Sequence, residues 1–140
     1  MTNEQLDRLK HSGLPLGEGE SDIGGDAVVD ASGGKVGNVE ALFVDEIARR
    51  IRFLLVAGHG AVGIGDEQRL VPVEAIDRIE GNVVHLRHPR ERVAFSPRYN
   101  PKLVSEPSYW ESVYGWYGYA PYWAGLMAGP SVHPYQPVRR

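Results

Sequence analysis

The chain has 140 residues, a net charge of −3, 42% hydrophobic and 24% charged residues, and no cysteine. That length suits one compact domain with appendages. The mild negative charge excludes a global basic field for nucleic acid or anionic membrane, and the missing cysteine excludes disulfides, zinc–thiolate centres and cysteine nucleophiles.

Residues 1–21 form a polar N-terminal segment and linker. The opening MTNEQLDRLKHSG has no apolar stretch of the kind a secretory signal needs, and no run approaches the roughly 18–20 apolar residues that span a bilayer. A cytoplasmic protein is therefore expected. Thr2 and Gln5 have capping-box spacing, and Leu6 and Leu9 share a face, so a short helix is expected before Gly13 and Pro15 stop it.

Residues 22–95 read as short strands separated by turns. Ala27–Asp30 and Val36–Asp45 flank the glycine turn ASGGK. In the longer strand, Val39, Ala41 and Phe43 are expected on one face, with Glu40, Leu42 and Val44 on the other. Ile51–Ala57 follows, with Ile51, Phe53 and Leu55 opposite Arg52, Leu54 and Val56. The glycine-rich stretch GHGAVGIGDEQR leads to LVPV. There Pro72 cannot donate to a ladder, so a strand that is short, at an edge or broken is expected, with open groups that a second copy could cover. Ala75–Glu80 and Val83–Arg87 flank Gly81-Asn82, a strong hairpin signal. Close-spaced strands without crossover helices predict a small, mainly β barrel. A core of this size is marginal, which makes a homodimer or a docked tail the expected source of added stability.

From residue 96 to 140 the chain is a proline-rich, aromatic tail. SPRYNPKLVSEPS is too proline-rich for a regular element. Ser108 and Glu111 have capping-box spacing before a helix expected over roughly 109–117, with Trp110, Val113, Tyr114 and Tyr117 in one stripe. Gly118 and Pro121 end it. The closing AGPSVHPYQPVRR reads as extended or disordered.

SDIGGDAVVDASGGKVGNVEALFVD, with its glycine-led first strand, glycine turn and VG-x-V entry to a long strand, resembles the opening of PRC-barrel domains. GHGAVGIGDEQRLVPVEAI resembles a later block of the same family, where a loop with GIG leads into a VP strand. The family includes the cytoplasmic domain of the photosynthetic reaction-centre H subunit, and a relative lies in a ribosome-maturation factor. The resemblance implies a strongly bent β-barrel that works by binding, with no catalytic residues to transfer. The residues themselves lead to the expectation of no cofactor.

GHGAVG fits G-x-G-x-x-G, but the dinucleotide mechanism needs a helix N-terminus after it, and GIGDEQRLVPV supplies none. His85 and His88, three apart on a strand, face opposite ways. His59 and His133 have no nearby partner, so no metal site is expected. Asp26, Asp30, Asp45 and Glu46 fit no calcium loop and read as turn residues. RNA contact through Arg49, Arg52, Arg87 and Arg92 is the alternative function, by analogy with the maturation-factor branch, if those arginines share a face.

The aromatics of the tail are the main functional signal. Trp110, Tyr114, Tyr117, Tyr119, Tyr122 and Trp123 suit either a cover over the chain's own barrel or a docking element for a protein partner. A helix this short holds only by packing on something. The expectation is a non-enzymatic adaptor or scaffold that self-associates through the barrel and docks a partner through this tail.

Overall fold

The computed structural model describes residues 14–15, 23–45, 49–58, 67–124 and 132–134. The expected N-terminal helix, most of the glycine-rich loop, Glu46 and His59 lie outside the described residues. In chain order the elements are β1 (Leu14–Pro15), β2 (Ala27–Val29), β3 (Lys35–Asp45), β4 (Arg50–Ala57), β5 (Gln68–Pro72), β6 (Ile76–Glu80), β7 (Val83–Leu86), α1 (Arg90–Ala94), α2 (Pro107–Tyr117) and β8 (Val132–Pro134). Two 3-10 turns intervene, at Val73–Ala75 and Pro101–Leu103.

The strands form one sheet in the order β1-β4-β3-β2-β7-β6, with β5 also on β4 and β8 also on β3. Among the described residues only β2 and β7 run parallel; every other strand pair is antiparallel. The path β5-β4-β3-β2-β7-β6 begins and ends on strands that are consecutive in sequence. The single 3-10 turn Val73–Ala75 joins them. A six-strand path whose ends are three residues apart must curl on itself, and this is the barrel that the strand spacing predicts.

The backbones of β3 and β4 approach closely at Gly37. A Cβ on Gly37 would sit 2.3 Å from the Ala57 carbonyl oxygen, so only glycine fits there. This is the glycine of the VG-x-V signature. The simple alternation expected along β3 does not hold. Leu42, Phe43 and Val44 are buried in succession, because the register shifts between Val39 and Ala41 and again between Phe43 and Val44. From Phe53 to Ala57, β4 is buried on both faces, as a central strand packed on each side must be.

The Gly81-Asn82 hairpin forms between β6 and β7, with Gly81 at φ 59°. Its first strand starts at Ile76 because the 3-10 turn takes Val73–Ala75. The β5 strand is short and ends at Pro72, as its proline dictates. Its outer edge is partly covered, however. Arg98 bridges Arg69, and the Tyr99 amide donates to the Gln68 carbonyl at 3.2 Å. The proline-rich segment thus acts as a partial extra strand along the edge expected to be open.

The helix α1 has no counterpart in the sequence reading. Its N-terminal amide is met by a distant side chain: Arg90 N–H donates to Asp30 Oδ2 at 2.9 Å. Asp30 Oδ1 meanwhile accepts from the Ser32 amide (3.0 Å), the Ser32 hydroxyl (2.7 Å) and the Gly34 amide (2.9 Å). One carboxylate therefore shapes the β2–β3 turn and starts a helix sixty residues on. Burial alone would raise the Asp30 carboxyl. The bonds from Ser32, Arg90 and Gly34 outweigh it and hold the group below its ordinary value.

Candidate interaction surface

Pro107 at the first position of α2 needs no amide partner there, and Glu106 is the N-cap residue without a side-chain cap. The helix thus starts two residues before the expected 109. At its far end Gly118 adopts φ 85°, and its N–H donates to the Tyr114 and Gly115 carbonyls. The Tyr119 amide follows onto the same Tyr114 carbonyl at 3.0 Å.

The face that α2 turns inward is the stripe read from the sequence, with Tyr109 added. Tyr109, Trp110, Val113, Tyr114 and Tyr117 are all buried, and they belong to one core cluster with β3, β4 and β5. Trp110 packs on Phe53 and Phe43, with ring centroids 4.7 and 5.3 Å away, and Tyr114 packs on Phe53 at 4.8 Å. The indole N–H of Trp110 donates to the Val104 carbonyl at 2.9 Å. The Tyr109 hydroxyl donates to the Arg98 carbonyl and accepts from the Asn100 amide, pinning the proline-rich segment beside β5. Burial pushes the hydroxyls of Tyr114 and Tyr117 well above the usual tyrosine range. Of the two uses left open for the tail aromatics, the structure gives Trp110, Tyr114 and Tyr117 the first: they are the barrel's cover. Their rings offer nothing to a partner while α2 is docked.

The outward face of α2 carries Trp116, which locks α2 to α1. Its indole N–H donates to the Arg92 carbonyl at 2.6 Å, Arg92 Nη1 donates back to the Trp116 carbonyl at 3.1 Å, and the guanidinium lies 5.5 Å from the ring centre. Trp116 nevertheless remains 37% exposed, and Phe95, at the end of α1, is 72% exposed.

Past Gly118, the second aromatic group lies half-buried on the barrel rather than free of it. The Tyr119 hydroxyl hydrogen-bonds His88 Nε2 at 2.8 Å. The Arg52 guanidinium sits 4.2 Å from the centre of the Tyr122 ring. Trp123 meets Tyr122 and Tyr114 edge-on at 5.1 and 5.9 Å. His88 is held below its ordinary pKa by burial, with the positive charges of Arg92 and Arg87 acting in the same direction. Under this segment, burial raises the Glu74 carboxyl despite the nearby Arg52.

The four candidate RNA-contact arginines have separate roles. Arg49 is exposed in a turn at φ 57°. Arg52 is largely buried, 3.5 Å from Asp45 and against Tyr122. Arg87 donates to the Glu74 carbonyl at 3.2 Å and lies 3.9 Å from Asp77. Arg92 is laid across Trp116. Three of the four are engaged within the chain.

His85 lies 3.7 Å from Glu80, whereas His88 faces Tyr117 and Tyr119, so the pair diverges. Among the described residues no three metal-ligating side chains converge. An open cleft of about 450 Å³, which nothing in the sequence pattern singled out, lies between Asp30, Ser32, Asp77, Arg78, His85 and Arg87. Its charged groups are largely matched. Asp30 accepts four hydrogen bonds, and Arg78 bridges Asp77 at 2.8 Å and Glu80 at 3.0 Å.

The geometry defines a class: a small, curled, mainly antiparallel β-barrel covered by an aromatic helix. Residues 18–93 match the PRC-barrel domain, more than half of the 140-residue chain, and the chain belongs to that family. No curated protein matches the chain. The family is generally non-catalytic and points to protein interaction. The match ends before α2, so the aromatic cover is added to the family domain. No helix among the described residues is long and apolar enough to cross a membrane.

Proposed function

We propose that the chain is a non-enzymatic interaction module, an adaptor or scaffold that self-associates and recruits a protein partner through the aromatic surface beside its barrel. One observation carries this reading. The exposed large hydrophobics among the described residues are Phe95, Leu103 and Trp116, and none lies on a strand: Phe95 ends α1, Leu103 ends a 3-10 turn and Trp116 is on α2. Trp116 and Arg92 are stacked, and tryptophan and arginine are the residue types most enriched where binding energy concentrates. Tyr119, Tyr122 and Trp123, only partly buried against the core, are further candidate contacts. The contact role read from the sequence thus moves outward, from Trp110, Tyr114 and Tyr117 to Trp116 and Phe95. The RNA-factor alternative has less support, since Arg52, Arg87 and Arg92 serve contacts within the chain.

The test is a comparative pull-down with the full chain and its Phe95→Ala/Trp116→Ala double variant as baits. Bound proteins captured by the parent and lost with the variant, at a melting temperature within a few degrees of the parent, support the reading. Identical capture by both baits overturns it.

A further inference from the structure

The β3 strand is long enough to outrun its neighbour. On one edge it pairs with β4 over its C-terminal half, through Asp45. On the other edge β2 accompanies it only as far as Asn38. Beyond the Val39 contacts with Gly25 and Asp26, the edge from Glu40 to Asp45 has only β8 on it among the described residues. There the register is Phe43↔Pro134, Val44↔His133 and Asp45↔Val132. Among the described residues the occupant covers half the slot. It is three residues long, and Pro134 has no amide, so β8 carries only two backbone N–H groups.

We infer that the Phe43–Asp45 edge of β3 is a strand-exchange site at which two copies of this chain trade their 132–134 strands. Three features support a second copy as the occupant. The segment whose fit to this edge is already known, residue by residue, is the chain's own Val132–Pro134, and every copy carries it. Exchange keeps each of these contacts, so it needs no new complementarity and closes as a symmetric pair. The segment also lies beyond the left-handed Gly118 and the half-buried Tyr119–Trp123, and the core that Val132 packs against is covered again on exchange by the same residue of the second copy.

This inference deepens the self-association half of the proposed function and moves its surface. The β5 edge singled out from the sequence is already flanked by Arg98 and Tyr99. On β3 the edge is instead held by a short strand that arrives from far along the chain. A tethered strand competes with its copies at an effective concentration of about a millimolar, so exchange grows with protein concentration.

The chain has no cysteine, so introduced thiols report cleanly. Full-length V44C and H133C chains are mixed and oxidised, beside a V44C/H133C chain. Exchange predicts a disulfide-linked heterodimer whose yield rises at least severalfold between about 1 and 200 µM. In the double variant, the intramolecular link should dominate at the dilute end. Crosslinking confined within the chain at every concentration overturns the exchange, and so does the absence of any 44–133 link.

Because Val44 is buried, a second measurement needs no change in the core. The parent and H133P, which removes an amide from β8, are compared by sedimentation. A parent dimer that becomes monomeric in a folded H133P supports the exchange. A dimer that persists in H133P overturns the exchange and leaves self-association standing by another surface. A parent that stays monomeric throughout overturns both.

Discussion

The indole of Trp110 packs against the ring of Phe53 with centroids 4.7 Å apart, and through this contact a helix outside the matched family domain becomes part of the barrel's core. Trp110 is 1% exposed, so truncation leaves a large void between α2, β3 and β4. Trp110→Ala should cost about 3–5 kcal/mol, a large share of a small domain's stability. Trp123 is half-exposed and meets Tyr114 only edge-on at 5.9 Å, so Trp123→Ala should cost about 1 kcal/mol. Urea unfolding of the two variants checks the contrast. Equal costs would mean that the tail packs as one unit on both sides of Gly118.

Asp30 is the second long-range tie. Its four hydrogen bonds hold the β2–β3 turn and the start of α1 together. Asp30→Ala should cost about 2 kcal/mol, at the upper end for loss of a helix cap, with Asp30→Asn milder. The folded carboxyl titrates below its ordinary value of 3.8. Its contribution is therefore complete above the unfolded pKa and is lost as the pH falls through the folded one. The stability gap between parent and Asp30→Asn should be constant near neutrality and shrink in acid. A gap independent of pH would show that the charge of Asp30 is not what its partners hold.

The parts of this fold legible in the sequence are those set by neighbours in the chain. The β6–β7 hairpin follows from Gly81-Asn82, the end of α2 from Gly118, and its buried stripe from the spacing of Trp110, Val113, Tyr114 and Tyr117. What escaped depends on distant residues. Nothing near Arg90–Ala94 announces a helix, because its amide partner is Asp30. The successive burial of Leu42, Phe43 and Val44 needs the bulges that β4 imposes. Residues 132–134 form a strand only because β3 outruns β2. Which tail aromatics are buried and which are exposed was not legible by residue. Tyrosine and tryptophan suit a core and an interface equally, and only the docking of α2 separates buried Trp110 from exposed Trp116.

His88 gives the tail a pH dependence with a defined sign. It faces Arg87 and Arg92, Tyr117 packs edge-on against its ring, and Tyr119 hydrogen-bonds its Nε2. Burial and the two arginines lower its pKa from 6.5 in the folded chain. The unfolded chain therefore takes up the proton first. The stability that depends on neutral His88 is complete above the unfolded value and is lost as the pH falls through the folded value. His88→Gln should be flatter than the parent in melting temperature between about pH 7 and pH 5. Parallel curves would contradict this, as would an assigned His88 resonance that titrates above 6.5 in the folded protein.

Gly118 is the joint between the buried and half-buried halves of the tail. Its φ of 85° lies in the left-handed region, and no atom stands within 4 Å of the place a Cβ would occupy. A side chain there would meet backbone strain but no clash. Gly118→Ala should therefore cost about 1–2 kcal/mol, the ordinary penalty for an L-residue in this conformation, with Gly118→Asn intermediate because asparagine tolerates it better. The strain falls on the turn whose amides at Gly118 and Tyr119 both reach the Tyr114 carbonyl, and it is this turn that aims Tyr119 at His88. Relaxing it by unwinding the turn would also draw Tyr119 away. Gly118→Ala should thus weaken the pH dependence assigned to His88 along with overall stability. Chemical unfolding of the alanine and asparagine variants at about pH 7 and pH 5 reads both effects. Stability in the order glycine, asparagine, alanine, with the pH response fading in the same order, is expected. An alanine variant as stable as the parent would mean that α2 can end without the left-handed turn.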